Sequence, residues 1–193
     1  MQYFSSDLHL GDQNILKYEK RPFTSVEEMN ARIISNFSEV LKPEDDLWIL
    51  GDFVKGANTE LAEEFFSSIP GRKHLVPGNH DRETIKKMPQ WHSVNGLVEM
   101  KADGQPVTLC HYPLMTWNGA HHDSDDPSIL SIQLFGHIHG LTRGWWRAVN
   151  VSVDVWNFTP VTIGEIRQRS EENRFVVPMH EDLFPSRVAP KVL

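Results

Sequence analysis

One cysteine, no excess of basic residues and no long apolar run bound what this chain can be. Cys110 is the only cysteine, so an internal disulfide is excluded. It sits in the apolar run Val107-Thr108-Leu109-Cys110, the setting of a small core residue rather than a nucleophile. Acidic residues outnumber basic ones by 26 to 19, for a net charge of −7. Stable binding to nucleic acid is not expected without a basic field. A nucleotide substrate is compatible with that charge, because bound cations reverse the local sign. No apolar stretch is long enough to span a bilayer. The N-terminus enters a strand, Gln2-Tyr3-Phe4, without a basic flank and apolar leader. A cytoplasmic protein is expected. The 193 residues, 39% hydrophobic and 23% charged, suit one well-packed domain over 1–193. A polar, Pro-bearing tail from about Glu171 is expected to wrap its surface.

Periodicity gives an outline of the elements. Gln2 to Ser6, Asp46 to Leu50, Lys73 to Val76 and Leu130 to Phe135 read as strands. Val26, Met29, Ile33, Ile34, Phe37 and Leu41 recur at helical spacing, predicting a helix over Ser25 to Leu41. Ser25 and Glu28 resemble a capping box at its start. A second amphipathic helix runs from Thr59 to Ile69 and stops at Pro70-Gly71, and a last one from Thr162 to Arg169. Val94 to Met100 and Pro106 to His111 flank Ala102-Asp103-Gly104 as a hairpin, and Ala148 to Val155 alternates as a strand. Strand–helix alternation followed by strand-rich sequence predicts two sheets face to face with helices outside.

Five short motifs each follow a strand-like stretch. They are Asp7-Leu8-His9, Gly51-Asp52, Gly78-Asn79-His80-Asp81, His111 and Gly136-His137-Ile138-His139. Strand ends facing a loop rim are where α/β proteins collect functional side chains. Carboxylate, amide and imidazole ligands together suit hard or borderline divalent cations: manganese or iron first, with zinc, nickel and cobalt compatible. One such motif means little, since a single buried histidine is usually structural. Five in this order point to a two-metal phosphoester hydrolase. Phosphate esters hydrolyse so slowly that enzymes reach accelerations of ~10²¹. Two cations roughly 4 Å apart can hold the phosphoryl oxygens and clamp the in-line displacement. A carboxylate can bridge two ions, whereas a neutral imidazole offers one lone pair. Asp52 fits the bridge, and Asn79 contributes a neutral oxygen that limits negative charge facing an anionic substrate.

Together these motifs resemble the signature of the calcineurin-like metallophosphoesterases, from Asp7 to about Pro160. Asp7-Leu8-His9-Leu10-Gly11, Lys20-Arg21-Pro22-Phe23, Leu134-Phe135-Gly136-His137-Ile138-His139-Gly140 and Asn150-Val151-Ser152-Val153-Asp154-Val155 are similar to a small bacterial and phage subgroup of phosphoesterases. The resemblance implies a four-layer αββα sandwich with two mixed β-sheets and the metal site at strand-end loops. It implies Asp7, His9, Asp52 and His139 for the first ion, and Asp52, Asn79, His111 and His137 for the second. It implies that His80 is no ligand, but the general acid or a phosphate contact on the leaving-group side.

The sequence also departs from relatives. Those that dephosphorylate proteins carry an Asp and an Arg where this chain has Lys55 and Gly56. A phosphodiester of a small or nucleotide-like substrate is therefore favoured. The alternatives are a phosphomonoesterase or nuclease-type action on nucleic-acid ends. Repair nucleases of the superfamily carry a DNA-capping domain for which this chain has no room. A non-catalytic scaffold is disfavoured because every ligand position is filled. Asp12 stands where the subgroup often has His, and reads as a solvated or capping loop residue. Arg82 is a candidate phosphate contact, and Trp117 and Asn118 candidates to stack on and hydrogen-bond a base. His121 and His122 lie in a loop expected to rim the site. Trp145 and Trp146 read as packing residues, and His74, His92 and His180 as surface or packing residues.

Overall fold

The computed structural model describes residues 1–174 and 176. Ten strands form two mixed five-stranded sheets. In the first, β1 (Gln2–Ser5), β2 (Asp46–Ile49), β3 (Arg72–Leu75) and β4 (Trp91–Val94) run parallel, with a short antiparallel edge strand beside β1. The second is built from β5 (Val98–Ala102), β6 (Gln105–Leu109), β7 (Ile132–Phe135), β8 (Gly144–Trp145) and β9 (Ala148–Asn150), in the order β5-β6-β7-β9-β8. The edge strand of the first sheet is β10 (Val161–Thr162). Helix α1 (Ile15–Tyr18) is a single turn, as is α4 (Glu83–Lys86); α2 (Val26–Val40), α3 (Thr59–Ser68) and α5 (Ile163–Glu172) are longer.

Two apolar clusters hold these layers together. Met29, Ile33 and Phe37 of α2 and Phe65 of α3 pack with Leu47, Ile49 and Leu75 on one face of the first sheet. Phe4, Trp48, Leu50 and Val76 turn to the other side and meet Val107, Leu109, Leu134 and Val149 of the second sheet. A strand that alternates between two apolar faces thus explains why β2 reads as a continuous hydrophobic run, Leu47 to Leu50. The segment after His111 lies over the second sheet, where Gln133 bonds the Tyr112 carbonyl and the Leu114 N–H.

The expected elements are present with several corrections. The strand expected over Val94 to Met100 is β5, from Val98; Val94 instead ends β4, an unexpected strand at the edge of the first sheet, and exposed Asn95-Gly96-Leu97 separate the two. The Asp103-Gly104 turn carries positive φ at both residues (45° and 82°), the mirror-image turn that matches strand twist. The strand expected over Ala148 to Val155 stops at Asn150. Ser152 pairs with Ser6 as a lone bridge, then caps a 3-10 turn, Val153–Val155. Ser25 does accept from the Glu28 N–H, but the Glu28 carboxylate returns to Thr24 rather than Ser25, so the box there is half made. The complete box is at Thr162 and Glu165, opening α5. That helix runs through Glu172, so Glu171 is helical and not tail; the rest of the expected surface tail, and His180, lie outside the described residues. Cys110 is buried, as expected. Among the described residues no helix is long and apolar enough to cross a membrane.

Candidate metal centre

Parallel strands bring their C-terminal ends to one rim, and both sheets contribute. The rim is laced by backbone bonds: Asp7 N–H to the Gly51 carbonyl (3.0 Å), His9 N–H to the Asp52 carbonyl (2.9 Å) and Gly136 N–H to the His111 carbonyl (2.9 Å). The two sheets are joined where the His137 N–H donates to both Asp7 carboxylate oxygens, at 3.0 and 3.1 Å. Gly51 sits at φ 83°, and a Cβ there would fall 2.5 Å from the Gly78 nitrogen and from His111 Nδ1. Only glycine lets these loops approach so closely.

Asp7, His9, Asp52, Asn79, His111, His137 and His139 converge on this rim. Asp7, His9 and His139 form one group able to hold an ion, and Asp7, Asp52 and His111 another. Asp7 belongs to both groups, and Asp52, in the second, also reaches His9 of the first. Asp52 Oδ2 is 3.5 Å from His9 Nε2 and 3.5 Å from His111 Nε2, while its Oδ1 accepts from the His80 N–H at 2.9 Å. A separation of 3.5 Å is longer than a hydrogen bond. Two atoms each ~2.1 Å from one tetrahedral ion lie ~3.4 Å apart, so the spacing fits shared ligation. His9 Nε2 is moreover buried without a hydrogen-bond partner. A buried polar atom left so is otherwise costly.

The second shell selects which imidazole nitrogen is free. His111 Nδ1 contacts the Leu50 carbonyl at 2.8 Å, so Nδ1 carries the proton and Nε2 presents its lone pair toward Asn79 Oδ1, 3.1 Å away. His137 Nδ1 is 3.1 Å from the same Asn79 oxygen, and burial together with the neighbouring His111 holds its pKa below the ordinary imidazole value. Burial opposes ionisation of Asp52, but His9, His111 and the His80 N–H outweigh it and hold the carboxyl at about 2. Asp52 and His137 are thus held in the deprotonated forms that bind cations, whereas at His139 burial is outweighed by the Asp154 and Asp7 carboxylates, which raise the imidazole above its ordinary value.

His80 is exposed beside the ligand set, its ring 5.3 Å from that of His9. Arg82 is exposed at the start of α4. Trp117 donates to the Ser131 carbonyl at 3.4 Å and Asn118 to Glu99 at 3.1 Å, both toward the second sheet. His121 and His122 are exposed and contact each other, and Trp145 packs on Phe135. Trp146 is largely exposed, with the Arg147 guanidinium 4.0 Å over its ring. His74 is buried, stacked on Trp48 and bonded to Asp46 and Ser93; His92 is exposed. Asp12 is not solvated. It is buried, caps the Asn14 N–H and pairs with Lys55 at 2.8 Å, its Oδ2 lying 3.7 Å from His9 Nδ1.

Three supporting residues escaped the sequence reading. Asp81 stands in a quoted motif, yet its carboxylate serves as a buried acceptor for the Asp52, Phe53 and Gly78 N–H groups. Arg21 and Asp154 stand in two segments quoted only for likeness, and they meet in a buried ion pair behind the site. Charge among the valines of 151–155 was the available signal for Asp154, while Arg21 lies in a run already charged at Glu19 and Lys20; the pairing across 133 residues was not legible.

The family model for calcineurin-like phosphoesterases matches residues 3–158. The chain belongs to that family. It is a metal-dependent phosphoesterase, a hydrolase of phosphoric ester bonds. An uncharacterized protein of Methanocaldococcus jannaschii is 28% identical over 90% of this chain and 93% of its own length. The gene 66 protein of Mycobacterium phage D29 is 33% identical over 86% and 94%. Among solved structures, a protein of unknown function from Aquifex aeolicus superposes with a TM-score of 0.65 at 26% identity, over 87% of this chain and 98% of that one. The archaeal and phage relatives span nearly the same length as this chain.

Proposed function

We propose that this phosphoesterase hydrolyses a phosphodiester of a small or nucleotide-like substrate in the cytoplasm, using two divalent ions, manganese foremost. Asp7, His9, Asp52 and His139 hold one ion; Asp52, Asn79, His111 and His137 hold the other. The observation that carries this reading is Asp52 Oδ2 standing 3.5 Å from both His9 Nε2 and His111 Nε2. Bound divalent ions supply positive charge for the phosphoryl oxygens and activate water at neutral pH. The chain's own part is orientation and proton delivery. His111 turns its bare Nε2 inward by donating Nδ1–H to Leu50. His80 is anchored through its backbone N–H to Asp52, and its exposed imidazole, 5.3 Å from the His9 ring, would serve as general acid for the departing alkoxide. Arg82, Trp117 and Asn118 are the substrate contacts of this reading.

Lys55 supports diesters over phosphoproteins. It is committed to Asp12 and stands where a protein phosphatase has its acid. The test is elemental analysis of metal-loaded protein, followed by a panel of nitrophenyl mono- and diesters and 2′,3′- and 3′,5′-cyclic nucleotides with manganese. Two ions per chain and faster turnover of diesters are expected. Folded protein that retains no ion would overturn the reading, and a clear monoester preference would overturn its substrate class.

A further inference from the structure

The Arg21 and Asp154 side chains are both almost fully buried, and together they reach the Asp7 backbone and the His139 ring of the metal centre. Arg21 Nε and Nη2 grip the two Asp154 oxygens at 2.8 Å each. The guanidinium also donates to two backbone carbonyls, Nη2 to Asp7 at 2.6 Å and Nη1 to Leu8 at 2.9 Å, and Nη1 meets Met29 Sδ at 3.3 Å. Asp154 Oδ2 also meets His139 Nδ1 at 2.9 Å and accepts from Ser152 Oγ at 3.1 Å. One guanidinium therefore fixes the backbone of Asp7 directly and the imidazole of His139 through a carboxylate. A carboxylate behind an imidazole holds the proton on Nδ1, aims Nε2 and raises its basicity as a ligand. The planar fork matters, because a lysine could not engage two carboxylate oxygens and two carbonyls at once.

The other ion position is supported differently. His111 leans on the neutral Leu50 backbone carbonyl, while His137 Nδ1 faces Asn79 Oδ1, itself a ligand in the two-ion reading. The asymmetry is built into the fold: the segment before α2 and the 3-10 turn after β9 bond Asp7, Leu8 and His139, and among the described residues neither bonds the His111, His137 or Asn79 side chain.

We propose that Arg21 and Asp154 form a positioning pair for one ion position alone, the one at Asp7, His9, Asp52 and His139. This rests on the two-ion reading above. It assigns a role to two residues that contact neither ion nor substrate, and it predicts that the positions can be uncoupled by mutation.

The experiment titrates manganese into metal-stripped protein and follows free ion by electron paramagnetic resonance. Wild type is expected to take up two ions. Asp154→Asn keeps the shape but removes the charge, and it should weaken one class of site ~10–100-fold while the other changes little. In the metal-free state, ring ¹⁵N shifts should report His139 as the Nδ1–H tautomer in wild type and a mixture in the variant. A purely structural ion pair would lower stability without moving that tautomer or separating the sites. Arg21→Lys provides the second variant and should weaken the same class to a smaller degree. If Asp154→Asn does not fold, the Arg21→Lys titration decides alone. Equal weakening of both sites, or of neither, overturns the positioning role while the two-ion reading stands. Wild type that binds fewer than two ions overturns the two-ion reading itself.

Discussion

Asp81 is the residue whose removal should damage the centre most without touching an ion. Its carboxylate accepts three backbone N–H groups, from Asp52 at 2.9 Å, Phe53 at 2.9 Å and Gly78 at 2.8 Å. It is only 5% exposed. These bonds stitch the loop after β2 to the loop after β3, and one of them fixes Asp52 in its left-handed conformation. Asp81→Ala leaves three donors without their acceptor. Each unsatisfied buried donor costs about 1–3 kcal/mol. Water entering the vacated space recovers part of that, so a loss of ~3–6 kcal/mol is expected, a large share of the ~5–15 kcal/mol that holds a domain folded. Asp81→Asn should cost less. Its one carbonyl oxygen can serve the Asp52 and Gly78 donors, but its amide then opposes the Phe53 N–H, for about 1.5–3 kcal/mol. Urea denaturation reads both, and with a slope of ~2 kcal/mol per M the alanine midpoint should fall by ~1.5–3 M. A loss below ~1 kcal/mol, the size of an ordinary substitution, would refute the reasoning. So would an asparagine variant less stable than alanine.

Asp52→Asn should reduce activity more than Asp12→Asn, and His121→Ala should change it least; equal losses in steady-state assays would mean the bridging role is misassigned. His80→Ala should slow diesters with poor alkoxide leaving groups by ~10²–10⁴-fold yet spare activated nitrophenyl esters, with metal content unchanged. Uniform slowing, or loss of metal, would make His80 a structural residue. At the far end of β2, Arg72 holds the Asp46 carboxyl near 2, against burial and with help from His74. That folded value is depressed, so the stabilisation is present above the unfolded value of 3.8 and fades as pH falls toward 2. Urea midpoints of wild type and Asp46→Asn should converge over that interval, and a gap that persists or widens would contradict the pairing.

The candidate ligands were legible in the sequence because each lies at a strand end and carries its own short motif. Those features are local, and local pattern is what a single sequence displays. The supports were hidden for the opposite reason. Arg21 reaches Asp154 from 133 residues away, and Lys55 reaches Asp12 from 43. Nothing in composition or periodicity ties such pairs together. Element boundaries failed where side chains overrode propensity. The valine alternation through Val151 and Val153 predicts a continued strand, but Asn150 turns its amide to the His139 and Thr142 carbonyls and Ser152 caps the following turn. The missed strands β8 and β10 are two residues each, too short for any period to register.

The backbone of the centre shows why so many supports are needed. Asp7, His9, Asp52, His137 and His139 all have positive φ, between 48° and 70°. Such conformations cost of order 1–3 kcal/mol each for residues other than glycine. Aspartate and histidine tolerate them better than most, which places these five toward the lower end. Glycine would relieve the strain and abolish the ligand, so the position must carry a side chain that prefers another conformation. The cost is offset by bonds to the strained units themselves: Arg21 to the Asp7 carbonyl, Asp81 to the Asp52 N–H, Asp7 to the His137 N–H and Asn150 to the His139 carbonyl. Bound ions add to the same side of the balance, because a ligand that binds only the folded state stabilises it in proportion to its affinity. Stripping the metal should therefore lower thermal stability less in Asp81→Asn than in wild type, since the variant has lost the Phe53 bond that helps hold the loop ready for ions and binds them more weakly. Calorimetry of both proteins with and without chelator measures the difference, and equal shifts would show that loop strain and metal binding are not linked through Asp52.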